Sequence, residues 1–171
     1  ASFAVFQVNV PVLGGVHLSL TALVGILVGP ALGSIVAFVV NVLSAMLGHG
    51  AWGFLGANTL VGVVEVVGGY YLFSALRSMD WDHFPAAATG TIGGLTAGSL
   101  LMGVIPIVSG IRCVAITGGD LAVYMAALVA VNLCVAVIEG LVTGSVVNYV
   151  ATIRPDLIGD SDPVETVEAA D

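Results

Sequence analysis

Apolar residues run through this chain in stretches of roughly helix length, each broken by glycine, proline or a short polar loop. The stretch that organises the rest is residues 49–71, HGAWGFLGANTLVGVVEVVGGYY. It begins as a Gly/Trp loop, turns helical near Ala57 and stays apolar to Phe73. Two polar residues interrupt it, Asn58 and Glu65. At 3.6 residues per turn a spacing of seven projects both from nearly the same face, which Gly62 and Gly69 share. A carboxylate inside a membrane-length helix is costly and normally faces other helices or a cavity. The stretch therefore reads as one wall of a small-molecule or ion site.

The same pattern predicts the other elements. Residues 1–10 would be about 15 Å long as helix, too short to span, and read as the end of a helix that starts upstream. Pro11 and Gly14-Gly15 then break the chain. His17 opens a second helix that closes at Gly29. At roughly 20 Å it is shorter than a hydrocarbon core of roughly 30 Å. His17 is thus expected below one surface, behind a re-entrant loop that must be buried in protein or line a cavity. Pro30 suits the first turn of a third helix, 31–47. A fourth helix is expected at 57–77, a fifth at 85–105 and a sixth at 120–153. Asp120 is the expected N-cap of the last, and Pro155 its stop.

Composition fixes the class. Of 171 residues, 58% are hydrophobic and 8% charged, against about 25% charged in a soluble domain. The 23 glycines suit helices that associate in lipid by close backbone approach. The expected fold is all-α, a polytopic integral membrane bundle of about six helices, the first truncated. It occupies residues 1–158, with an acidic disordered tail at 159–171. The net charge is −8, from 11 acidic residues, three arginines and no lysine. That balance offers no basic surface for nucleic acid. Arg77 and Arg154 end the fourth and sixth helices on one side, while Arg112 lies on the other. Two against one puts the tail in the cytoplasm of a multi-pass plasma-membrane protein, with His17 and His49 toward the outside. His83 falls in the inner loop with Asp80 and Asp82. Cys113 and Cys134 have no zinc-like spacing and read as small buried residues.

Glycines recur at helical spacing: Gly25 with Gly29, Gly90 with Gly94 and Gly98, and Gly140 with Gly144. Such ridges pack helices within one bundle or dock a partner subunit. Imidazole suits nickel, cobalt, copper and zinc, so His17 is the candidate metal ligand and His49 a second. Neutral imidazole is the ligand form, so binding should fall as pH drops through about 6.5. A helix N-terminus at His17 would work against a cation. Glu139 lies deep in the sixth helix, with Asn132 a heptad before it and Thr143 a turn after. With Asn9, Asn58 and Glu65 these complete the polar candidates for pocket or helix packing. Glu65 and Glu139 could form an ion path, or be protonated acids that hydrogen-bond helices together. The second reading takes precedence because both are expected well below the loop histidines. There is no GxSxG, HExxH or phosphate loop, which argues against an enzyme.

NVPVLGGVHL, GILVGPALG, GHGAWGFLGANTL and VAVIEGLVTGSVVNYVATIRPDL, in this order, resemble the CbiM/NikM family. These are the cobalt/nickel-specific membrane S-components of energy-coupling-factor (ECF) transporters. The resemblance covers all but the acidic tail. It implies capture of Co(II) or Ni(II) outside and release inward. The drive would come from a transmembrane coupling protein and cytoplasmic ATPases, with a small accessory membrane subunit as a further partner. No cofactor is implied beyond the transported metal. In the family a Met-His N-terminus and a downstream histidine hold the metal; the latter corresponds to His17. The family often has GGTSGHL where this chain has GGVHL, and His-x-Pro where it has Asn132 and Cys134. Two other readings stand beside this one: an S-component-like protein for a vitamin or other organic solute, and a structural membrane subunit without ligand. Aromatics at 7% favour an ion over an organic ligand, which needs aromatic walls.

Overall fold

Five helices follow a two-stranded hairpin in the computed structural model, which describes residues 7–10, 14–47, 52–109 and 118–158. For 7–10, 14–17, 118–121 and 124 the description is of the backbone. The strands are β1, Gln7–Val10, and β2, Gly14–His17. They pair antiparallel, with Gln7 opposite His17 and Asn9 opposite Gly15. This corrects the expected helix end at 1–10, since Gln7–Val10 is strand. Pairing gives part of this segment's backbone hydrogen-bond partners within the hairpin. Valine at alternate positions 8 and 10 suits a strand better than a helix.

Helix α1 spans Thr21–Val28, α2 Pro30–Met46, α3 Leu55–Arg77, α4 His83–Ser109 and α5 Gly118–Ile153. A 3₁₀ turn, Trp52–Phe54, leads into α3, and another, Pro155–Leu157, ends the chain's last helix. The proline at 155 fixes where α5 stops. Gly29 joins α1 to α2 at φ +86°, a conformation L side chains rarely adopt. Three helices are long and apolar enough to cross a membrane, Trp52–Arg77, His83–Ser109 and Met125–Ile153; the shorter Pro30–Met46 is also apolar. Large apolar side chains point away from the bundle: Leu32, Ile35, Phe38 and Leu43 on α2, and Val137, Ile138 and Leu141 on α5. In water that distribution would be an aggregation hazard, and against lipid tails it is the stable arrangement.

Small residues hold the inside together. Helix α3 is central and packs against α1, α2 and α4, while α4 packs on α5. A Cβ on Gly94 would lie 2.7 Å from both the Glu65 carbonyl oxygen and the Gly69 nitrogen, and one on Gly90 3.0 Å from the Gly69 carbonyl oxygen. On α5, a Cβ at Gly140 would lie 2.9 Å from the Ala88 carbonyl oxygen, and one at Gly144 2.9 Å from that of Phe84. A Cβ at Gly25 would meet the Val66 carbonyl oxygen at 2.6 Å. The glycine ridges are thus filled by neighbouring helices of this chain, with Gly29 serving the turn instead. Gly69 and Phe73 lie beside Gly90, while Glu65 lies beside Gly94 and Gly98, so α3 and α4 run antiparallel. At the end of the bundle where α3 finishes, Ile26, Phe73, Ala86, Ala87 and Val147 form an apolar cluster.

The tail at 159–171, His49, Arg112 and Cys113 lie outside the described residues. Cys134 is exposed rather than buried, on the outward face of α5.

Candidate functional site

Glu139 projects from the middle of α5 into the bundle and is 1% exposed. What it meets there is the start of α1. The Ser19 N–H donates to Glu139 Oε2 at 3.1 Å, the Ser19 hydroxyl to Oε1 at 3.0 Å, and the Leu20 N–H to Oε1. The first N–H groups of any helix lack intrahelical acceptors. Leu20, the residue before α1, offers no side-chain cap and sits in the left-handed region at φ 53°. A carboxylate from another helix therefore caps α1, and negative charge there complements the helix dipole.

Glu65 reaches the same segment from α3. The Thr21 hydroxyl donates to Glu65 Oε2 at 2.7 Å. Thr21 Oγ1 and Ser19 Oγ lie 3.1 Å apart. A continuous row, Glu65–Thr21–Ser19–Glu139, thus ties α3 to α5 through the residues that begin α1. The row has three oxygen–oxygen contacts and two hydroxyl protons. All three can be hydrogen bonds at once only when one carboxyl carries a proton. Gly98 makes room for it, since a Cβ there would fall 2.7 Å from Glu65 Oε1. Thr91 on α4 and Thr143 on α5 are fully buried, their hydroxyls without a hydrogen-bond partner among the described residues.

The structure regroups the candidates. Glu65 and Glu139 were expected well below the histidines; Glu139 instead bonds two and three residues beyond His17. His17 closes β2 and does not open a helix, so the positive end of a helix dipole is four residues away and already met by Glu139. Asn9 lies on the opposite strand. Asn58 is exposed near the start of α3, and Asn132 is half-buried on α5; neither joins the row. Among the described residues, no group of three His, Cys, Asp or Glu side chains comes together. Sequence reasoning passed over Ser19, Leu20 and Thr21. The available signal was two hydroxyls at the opening of an otherwise apolar helix, where Ser and Thr serve backbone N–H groups.

Outside the bundle, Arg154 and Asp156 form a two-pronged ion pair at 2.8 and 2.9 Å, both exposed. The guanidinium holds the Asp156 carboxyl below its usual range.

Residues 1–157 match the model of the CbiM family, described as a cobalt uptake substrate-specific transmembrane region. The chain belongs to this family. CbiM proteins are membrane components of metal transport rather than enzymes, and the three membrane-length helices make this chain a multi-pass membrane protein. It is 32% identical over 164 residues to a protein of Archaeoglobus fulgidus named as a fused nickel transport protein, NikMN, covering 92% of this chain and 52% of that one. The chain thus spans about half the length of that relative. A metal transport protein of Haloquadratum walsbyi is 31% identical over 160 residues, 91% of this chain and 70% of its own length. Two crystal structures share the fold at 23% identity. One is of a transition metal transporter (TM-score 0.73, 89% of this chain and 71% of the other), and one of a truncated transition metal transporter (0.72, 89% and 75%).

Proposed function

We propose that the chain is the substrate-capture membrane part of an ATP-driven cobalt/nickel uptake system. It binds the divalent metal near the outer face and passes it inward. A transmembrane coupling protein and cytoplasmic ATPases of the ECF type supply the energy, and no cofactor is needed beyond the metal carried. The observation that carries this reading is the CbiM match across residues 1–157, together with two metal-transport relatives at 32% and 31% identity over nine-tenths of the chain. His17 is the ligand these residues contribute. His49 is the second candidate ligand. The acidic tail lies in the cytoplasm.

The geometry supports a histidine in this place. It ends a strand whose pairing with Gln7 fixes it on one side, and the hydrogen-bonded row at 19–21 fixes it on the other. A metal site needs its ligands held before the metal arrives. The test is a titration of the purified full-length protein, in detergent, with Co(II) and Ni(II). Stoichiometric binding that is lost in His17→Ala is expected. Tight binding by His17→Ala would overturn the assignment. Binding of an organic solute with no response to metal would favour the vitamin-type alternative.

A further inference from the structure

Helix α1 begins inside the bundle, at the level where Glu65 and Glu139 face each other across it, and nothing in its own sequence caps it. Ser19 and Leu20 present two N–H groups and a hydroxyl to Glu139. Leu20 is a bulky residue in the left-handed region, where an L side chain is strained. The backbone turns there only because something holds it. The turn lies three residues after His17, with one pairing at Gln7 before it. The direction in which residue 17 leaves the hairpin is therefore set by the carboxylate on α5, which lies 120 residues from Ser19 in sequence.

From this we infer that Glu139 is a positioning residue for metal capture: it does not touch the cation, and it fixes the backbone that carries His17. The inference rests on His17 being a ligand, as proposed above. Glu65 is its weaker counterpart, holding Thr21 by one hydroxyl bond instead of three contacts on two residues. Glutamine at 139 keeps one acceptor oxygen but turns its NH2 toward either the Ser19 N–H or the Leu20 N–H, two donors face to face, so one backbone bond of the clamp is lost without adding volume. Partners that orient metal ligands are worth roughly 10–100-fold in affinity when removed. Glu139→Gln belongs near the top of that range and Glu65→Gln near the bottom.

The experiment uses the full-length protein in detergent, with Co(II) as probe, since its visible spectrum reports ligand geometry as well as occupancy. Wild type, His17→Ala, Glu139→Gln and Glu65→Gln are titrated side by side, and backbone amide exchange is followed at Ser19 and Leu20. Expected for Glu139→Gln is a folded protein with affinity lowered about 50-fold, an altered Co(II) spectrum and faster exchange at both amides. A purely structural Glu139 would lower the unfolding temperature while leaving affinity and spectrum as in wild type, and that result overturns the inference. If Glu139→Gln does not purify folded, Ser19→Ala carries the same test. It removes one of the three bonds, so affinity should fall about threefold with a changed spectrum; an unchanged affinity and spectrum overturn the idea. The two levels separate cleanly. Wild type that fails to bind, or His17→Ala that binds normally, removes the capture reading and this inference with it. Loss in His17→Ala with no effect from Glu139→Gln removes the positioning role alone.

Discussion

The seam between α3 and α4 and the start of α1 are held by opposite means. Along the seam, Gly90 and Gly94 let α4 settle onto the backbone of Glu65, Gly69 and Phe73, and these contacts are with main-chain atoms. At the start of α1, the hold is a set of directional bonds from Ser19, Leu20 and Thr21 to two carboxylates. Close packing tolerates no added atom but asks nothing of charge state. The carboxylate row admits small changes of volume but fails if an acceptor is lost. A bundle that needs a rigid frame and one adjustable strut has reason to use both.

The largest break in that comparison should come from Gly94→Leu. Its Cβ would fall 2.7 Å from two backbone atoms of α3, neither of which can move without shifting the helix. We expect a loss of about 3 kcal/mol, at the upper end for overpacking, seen as failure to purify as a monodisperse protein or as a steep drop in the unfolding temperature. Unchanged stability would mean that the α3–α4 seam is not as close as described. Second comes Glu139→Ala, which leaves two N–H groups and a hydroxyl without their acceptor. A cost of about 2 kcal/mol is expected, and hydrogen exchange should localise it to the start of α1 while the α3–α4 seam stays protected. Uniform loosening of all helices would show that the two holds are not separable.

Thr21→Val removes one hydroxyl bond at nearly constant size. The expected cost is about 1 kcal/mol, read from thermal unfolding of the purified protein; a cost equal to that of Glu139→Ala would make Glu65 the principal anchor. The smallest effect belongs to Asp156→Asn, at the exposed pair with Arg154. Its carboxyl is held below the usual range, so whatever the pair adds is present above that range and fades as pH falls through it. An exposed pair of this kind contributes little, and no change in unfolding temperature should be measurable at neutral pH.

Helices α2 to α5 were legible because each is a long apolar run closed by Gly, Pro or a polar loop, and their ends fall within four residues of expectation. The hairpin was not. Runs as short as Gln7–Val10 and Gly14–His17 carry too few residues for a period of two to stand out from an apolar helix end. Glu65 and Glu139 could be placed on inward faces, yet their partners could not, because a helix pattern reports which face is buried and not what enters from elsewhere in the chain. Asn58 shows the converse. It shares a face with Glu65 by periodicity, but it sits two turns nearer the helix start, where it is exposed.

The joint at Gly29 has a consequence for handedness. Its backbone, φ +86° and ψ 164°, is the mirror image of the extended conformation that ordinary residues favour before a proline, and no atom lies within 4 Å of where a Cβ would stand. The site is closed to L-alanine by conformation alone, whereas the same φ is ordinary for its mirror image. D-alanine placed there by semisynthesis should stabilise the α1–α2 turn by about 0.5 kcal/mol, by narrowing the unfolded chain, whereas L-alanine should destabilise it. One joint between two short helices is thus written in the opposite chirality from the rest of the polypeptide, and glycine is the only encoded residue that can read it.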